Sequence, residues 1–389
     1  MNNKSFNAKY AAMNAAYFAA FASIFAYATN FLANRGFSNG VIGTTLSLTS
    51  ILGIFVQPAV ASFADRRKDI KLQTIITFFV GLAIALSAVL FSLKTGSFIT
   101  LFLFVGIAVG MGAIGPIMNS LAFAFEKYGI KINYGLARGI GSASYAIVSL
   151  GVGYIVDAMG TEVLPIVYSI FNVILIIIAR LFTVPEVSDD AKEEENNSEQ
   201  LSYFAFMAKY KEFMFFIVAS VFVFFAHTII NNFYIKVLEP IQGTSAQMGI
   251  AIFIAAILEL PAMVALDKIK EKISIRKLLI ISAVIFALKH AVTCFATNIS
   301  MIYFAAVLQV GAYAIFYPSM VYYANEVVAS KDLVKGQSLI GVSYTACGIV
   351  ANIIGGSLLD VIGVHNVLMI GVVTSVIGAA LVFLSVRKK

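Results

Sequence analysis

The chain has 389 residues, 60% hydrophobic and 12% charged, with a formal net charge of +7. Soluble domains carry about 25% charged residues, so this composition excludes an ordinary soluble domain and points to a membrane protein. The positive excess lies in loops between apolar segments, with no basic face on a soluble element, which excludes a nucleic-acid partner. Cys294 and Cys347 both fall inside apolar segments and offer neither a disulfide framework nor a metal site.

Apolar segments of about 20 residues follow one another along the chain, each long enough to cross a bilayer as a helix. Twelve are predicted, near 10–33, 40–63, 72–93, 97–125, 133–156, 163–184, 212–235, 246–266, 276–296, 300–325, 336–360 and 366–386. The first is too long for the core of a cleaved signal peptide and has a weak basic flank, so it is read as a retained span. With no Trp, any aromatic belt falls to the 17 Tyr. Lys and Arg gather on the side that carries both termini, and the opposite loops hold only Arg35, Lys94 and Lys236. That asymmetry places both termini in the cytoplasm, and the membrane expected is a cytoplasmic (inner) cell membrane.

Three blocks follow: a six-helix bundle over 1–184, a cytoplasmic acidic linker over 185–211 and a second six-helix bundle over 212–389. The stretch EVSDDAKEEENNSEQLS, from Glu186, is polar and free of aromatics, and cannot bury enough apolar surface to fold. YFAFMAKYKE, from Tyr203, reads either as a short amphipathic surface helix or as a disordered run into span 7. The two bundles repeat. Pro58 pairs with Pro261, Pro116 with Pro318 and Asp157 with Asp360, all at separations of 202 or 203 residues. Two six-span halves in one orientation are the parallel repeat of a rocking transporter, whose site lies near the midplane between them. The four prolines are expected inside helices, where a membrane bundle tolerates them.

Span count, linker and repeat resemble the major facilitator superfamily, which implies that fold and a monomer. ASFADRRKD, from Ala61, is similar to that family's loop between spans 2 and 3, with Asp65, Arg66 and Arg67 in its charged positions. The resemblance implies a loop that contacts a neighbouring helix end and helps latch one conformation; a topology-setting basic cluster explains the same residues. LDKIKEK, from Leu266, looks like its second-half copy. AFEKYGIKINYGLARGIGSASYA, from Ala124, resembles the lactose permease group of oligosaccharide:proton symporters. By that resemblance Arg138 holds sugar hydroxyls, Tyr145 stacks on the ring, and Glu259 and Lys289 match charged positions of spans 8 and 9. Tyr17 and Tyr27 are cavity candidates on the same basis. The chain also departs from the group: Ala122 replaces a span-4 carboxylate, Tyr145 a tryptophan, and Gln309 and Ala312 stand where span 10 has His and the coupling Glu.

The residues themselves point the same way. A charge near a helix centre costs about 2.5–3.5 kcal/mol on insertion scales and marks a pathway or a partner. Glu259 lies about 12 Å and Lys289 about 19 Å from the cytoplasmic helix ends, close enough in depth to pair across adjacent helices. Three roles stand open for Glu259: proton carrier whose pairing with Lys289 changes with conformation, static ion pair, or direct substrate ligand. Sodium, held by Glu259 with backbone carbonyls, is an alternative coupling ion to the proton. Arg138, Ser142, Tyr145 and Ser149 share one helix face, where a planar donor fork, hydroxyls and a ring suit a polyhydroxylated or anionic ligand; small Ser residues also serve helix packing. His227, Asn231 and Tyr234 share a face of span 7. Gln309, Tyr313 and Tyr317 share one in span 10, and Ser282, Lys289 and Thr293 one in span 9. Each of these reads as cavity lining or as helix–helix packing. Arg180, near a helix end, can snorkel. No nucleophile, metal cluster or phosphate loop suggests an enzyme. The expected protein is an all-α secondary transporter without cofactor, driven by the proton gradient, moving a small polar solute such as a sugar or glycoside. An efflux carrier for amphipathic compounds is the alternative, and a non-transporting receptor a more distant one.

Overall fold

The computed structural model describes residues 3–67, 69–125, 130–182 and 202–386. All but the last residue of the expected acidic linker stretch lie outside the described residues. Regular structure among the described residues is helical throughout. In a bilayer this follows from the backbone, since each helix satisfies its own N–H and C=O groups where no water can.

Among the described residues, eleven helical stretches are long and apolar enough to cross a membrane. The first six are Lys4–Asn34, Asn39–Arg66, Leu72–Ser92, Phe98–Ala122, Tyr134–Met159 and Thr161–Arg180. Lys211–Asn232, Ser245–Ile269, Ile275–Cys294 and Ile299–Val327 follow. The last, Ser330–Val386, has 57 residues. Straight, it would reach about 85 Å, against a hydrocarbon core of about 30 Å. It turns back at Gly363, whose φ of 78° and ψ of 169° are non-helical, and so supplies spans 11 and 12. Large apolar side chains such as Phe55, Phe78, Phe98 and Phe102 point outward, as lipid-facing residues should. Pro58, Pro116, Pro261 and Pro318 all lie inside helices.

Three spans differ from the continuous helices expected of them. Span 1 is broken between Asn3–Ile24 and Ala28–Asn34, and span 7 at Phe233, before Tyr234–Leu238. Span 10 is broken between Ile299–Leu308 and Tyr313–Val327. The last break holds Gly311, where a Cβ would lie 2.6 Å from Ile285 Cδ1 of span 9, so a larger residue would require that side chain to move. The segment after Tyr203 forms a short helix, Tyr203–Lys209, which Ser202 caps through the Ala205 amide. Lys209 and the Tyr210 hydroxyl both bond one Asp332 carboxylate oxygen, at 2.8 and 2.7 Å, and that bond holds the Lys209 ammonium above its usual range.

The chain forms two compact units. One joins the first six spans with Asn231–Ile257 and Asn352–Gly363. In it, span 1 packs against spans 5 and 6, span 3 against spans 4 and 6, and span 2 against span 4. The other joins span 7 up to Ile230 with Leu258–Ala351 and the last span. Its core is aromatic: Phe213, Phe216, Phe224, Phe286, Phe316 and Tyr323 are all buried.

Candidate solute-binding and coupling residues

Arg138 enters span 5 one turn after Asn133, whose side chain caps the helix through the Leu136 amide at 3.0 Å. Its Nη1 donates to Ser142 Oγ, one turn on, at 2.9 Å. The guanidinium lies over the Phe18 ring of span 1, 4.2 Å from its centroid, a cation–π contact. Gly141 makes this possible, because a Cβ there would stand 2.5 Å from the Phe18 ring. Phe18 is the partner that sequence reasoning missed; the Gly between Arg138 and Tyr145 was the available signal. Tyr17 packs edge-on to Phe18 and donates to the Met111 carbonyl at 3.3 Å. Arg138 is exposed and Ser142 and Tyr145 are half-buried. Ser149, on the same expected face, is elsewhere in role: it is buried, and its carbonyl accepts from Tyr27 at 2.6 Å. Tyr27 is wholly buried by that crossing and lines no open surface.

In the second unit the structure corrects one expectation. Glu259 and Lys289 form no direct ion pair; Gln309 stands between them. Lys289 Nζ donates to Gln309 Oε1 at 2.5 Å, and Gln309 Nε2 donates to Glu259 Oε1 at 2.7 Å. The break in span 10 begins at Gln309 and takes it out of the regular helix, where its amide meets spans 8 and 9 at once. Lys289 also approaches His227 Nδ1, at 3.4 Å. His227 stacks on Tyr313 (5.3 Å, 22°), and Tyr313 stacks on Tyr317 (5.5 Å, 22°). His290, which no spacing argument had used, is buried beside this group and pairs through Nδ1 with Ser375 Oγ at 2.6 Å. Lys289, Gln309, His227 and His290 are buried, and Glu259 is half-buried. Asn231 is exposed and belongs to the first unit, so the face it was expected to share with His227 divides between the two units.

The amide is a polar bridge. With Glu259 ionised, Lys289 is balanced through it.

The loop after span 2 makes local contacts. Arg66 Nε donates to the Ser62 carbonyl, and Arg67 grips Asp69 with two bonds of 2.8 Å. Those bonds hold the Asp69 carboxyl below the usual carboxylate range. Asp65 is exposed. The second-half copy reaches its neighbour: Asp267 accepts from Lys270 and from the Tyr322 hydroxyl of span 10.

Twelve helical spans among the described residues, with charge held inside them, are those of a multi-pass membrane protein. A sequence model described as the MFS_1 like family matches residues 9–371. The chain belongs to that family and is a secondary transporter of small organic solutes, not an enzyme. It is 25% identical over 383 residues to the maltose permease of Geobacillus stearothermophilus, covering 96% of this chain and 92% of that one. It is also 25% identical over 339 residues to the uncharacterized transporter YwbF of Bacillus subtilis (strain 168), covering 84% and 80%. Among solved structures, the nucleoside transporter NupG superposes with a TM-score of 0.82 over the whole of both chains at 15% identity. A bacterial homolog of the human lysosomal transporter Spinster, inward-facing and unoccupied, superposes at 0.71, 14% identity, over 99% and 97%.

Proposed function

We propose that this transporter is a proton-coupled symporter of a small polar solute carrying hydroxyls and a ring, a sugar or glycoside first. The observation that carries the reading is the bridge Glu259–Gln309–Lys289. Glu259 is a half-buried carboxylate tied through Gln309 to Lys289, so a solute oxygen that reaches Lys289 would disturb the group proposed to carry the proton. Arg138, with its donor fork, and Tyr145 are the solute ligands proposed in the first unit, and Tyr313 with His227 those in the second. Maltose permease among the relatives supports a sugar, and the nucleoside transporter among the fold neighbours extends the set to ring-bearing glycosides. The proton gradient is the energy source, with no cofactor. The protein acts as a monomer in a cytoplasmic membrane, termini inside, with bundles over 1–184 and 212–389 joined by the acidic linker.

The test is proton entry into proteoliposomes on adding members of a sugar, glycoside, nucleoside and aromatic-acid panel, in sodium and sodium-free buffer. One class should drive proton entry, and Glu259→Gln should abolish that entry while solute binding persists. Uptake that needs sodium and moves no protons makes Glu259 a sodium ligand. Proton-driven expulsion of amphipathic compounds favours efflux. Normal proton coupling in Glu259→Gln removes the residue from the mechanism.

A further inference from the structure

The side chains around Arg138 are joined by hydrogen bonds whose directions restrict what the site can bind. Tyr134, Arg138 and Ser142 follow one another at single turns of span 5, so the three share a face. The Tyr134 hydroxyl donates to Asn119 Oδ1 of span 4 at 3.2 Å. Arg138 Nη1 donates to Ser142 Oγ at 2.9 Å, and its guanidinium lies over Phe18 of span 1. The face is therefore turned toward spans 1 and 4 of its own unit.

Its acceptors are engaged and its donors are not. Ser142 Oγ and Asn119 Oδ1 each receive a bond already. The Ser142 hydroxyl proton, the Asn119 amide protons and the remaining guanidinium N–H groups are left to give. Phe18 holds the cation without accepting a hydrogen bond. No ion pair among the described residues includes Arg138. Ala122, which replaces the span-4 carboxylate that the family resemblance implied, is buried and apolar. The second unit differs, for its buried cation, Lys289, is tied through Gln309 to Glu259.

A sugar hydroxyl is donor and acceptor at once. On this face its oxygen would find donors, but its proton would find both side-chain acceptors already taken. A carboxylate only accepts, and it meets a guanidinium fork with two parallel bonds. Charge narrows the class further. One guanidinium balances one negative charge, which is what a carboxylate carries, whereas a phosphate monoester carries about 1.5 to 2 at neutral pH. We propose that the solute bears a carboxylate, as a sugar acid or its glycoside does, and that Arg138, Ser142 and Asn119 receive it. This rests on the reading of Arg138 as a solute ligand and narrows the solute from a neutral sugar to an acid.

Matched pairs test this on the full chain in proteoliposomes: glucose with glucuronate, phenyl glucoside with phenyl glucuronide, and glycerol with glycerate, with glucose 6-phosphate as the dianion. Uptake and proton entry are recorded together. The acid of at least one pair should be taken up with an apparent affinity about tenfold or more above that of its neutral partner. Arg138→Gln should cut that preference by about tenfold to a hundredfold, the scale of a charge-assisted bond, and Arg138→Lys should keep part of it. The wild-type comparison decides even where Arg138→Gln does not fold. The proposal is overturned if no carboxylate is taken up, if neutral members match their acids, if glucose 6-phosphate is preferred, or if the acid preference survives Arg138→Gln. Proton entry with neutral sugars alone overturns it and leaves the symport reading standing. Acid uptake without proton entry does the reverse.

Discussion

Lys289 and Glu259 read from sequence as charges that ought to meet; in the structure a neutral amide holds both. That difference has an energetic consequence. A buried cation whose balancing charge is removed costs roughly 1–3 kcal/mol beyond the lost bonds, and two groups sharing one bridge cannot respond independently. Lys289→Met and Glu259→Gln should each lower stability in denaturant titrations, and the double variant should be more stable than the sum of the two losses implies, by roughly 0.5–3 kcal/mol. Additivity within about 0.3–0.5 kcal/mol would mean that Gln309 transmits nothing. The two charges were legible in the sequence because a carboxylate and an ammonium stand out against apolar neighbours. Gln309 was legible only as a polar position on span 10. Its role depends on a local break in the helix, and hydropathy does not change across that break. His290 was invisible for a related reason: its partner, Ser375, is one of many serines and lies 85 residues away.

At the scale of helices, glycine has two uses here that sequence alone does not separate. Gly43 and Gly153 lie where a Cβ would overlap a carbonyl oxygen of the crossing helix. Gly81 and Gly151 are also helical but have open space at that point. Glycine in a helix interior costs roughly 0.5–1 kcal/mol relative to alanine. Gly81→Ala and Gly151→Ala should therefore leave the thermal midpoint unchanged or raise it slightly. Gly43→Ala and Gly153→Ala should lower it, because the crossing backbone must shift. Equal midpoints for all four would show that the crossings are looser than the distances say. The helices themselves were readable almost to their ends, since their length and apolarity are what the bilayer requires. The breaks in spans 1 and 7 were not, for no proline or glycine marks them.

For the molecule as a whole, the repeat that three residue pairs suggested extends to backbone geometry. Gly160 and Gly363 adopt nearly the same φ in a region that is essentially glycine-only. Alanine at either should cost about 1–3 kcal/mol, and the two losses should match, because each corner has the same carboxylate three residues before it. A large inequality, read from thermal midpoints of the two single variants, would mean that the resemblance of the corners is only geometric. The pair Asp157 and Asp360 was visible in the sequence as a marker of duplication. Its chemistry was not, because the amides it binds carry no side-chain signature.

The corner at Gly363 also bears on how the protein is made. Leu333–Val386 runs as one helical stretch with a single non-helical residue, so spans 11 and 12 have no connecting loop to translocate. So short a turn favours entry of the last two spans together as a hairpin, and Asp360 then meets the start of span 2, which lies far earlier in the chain.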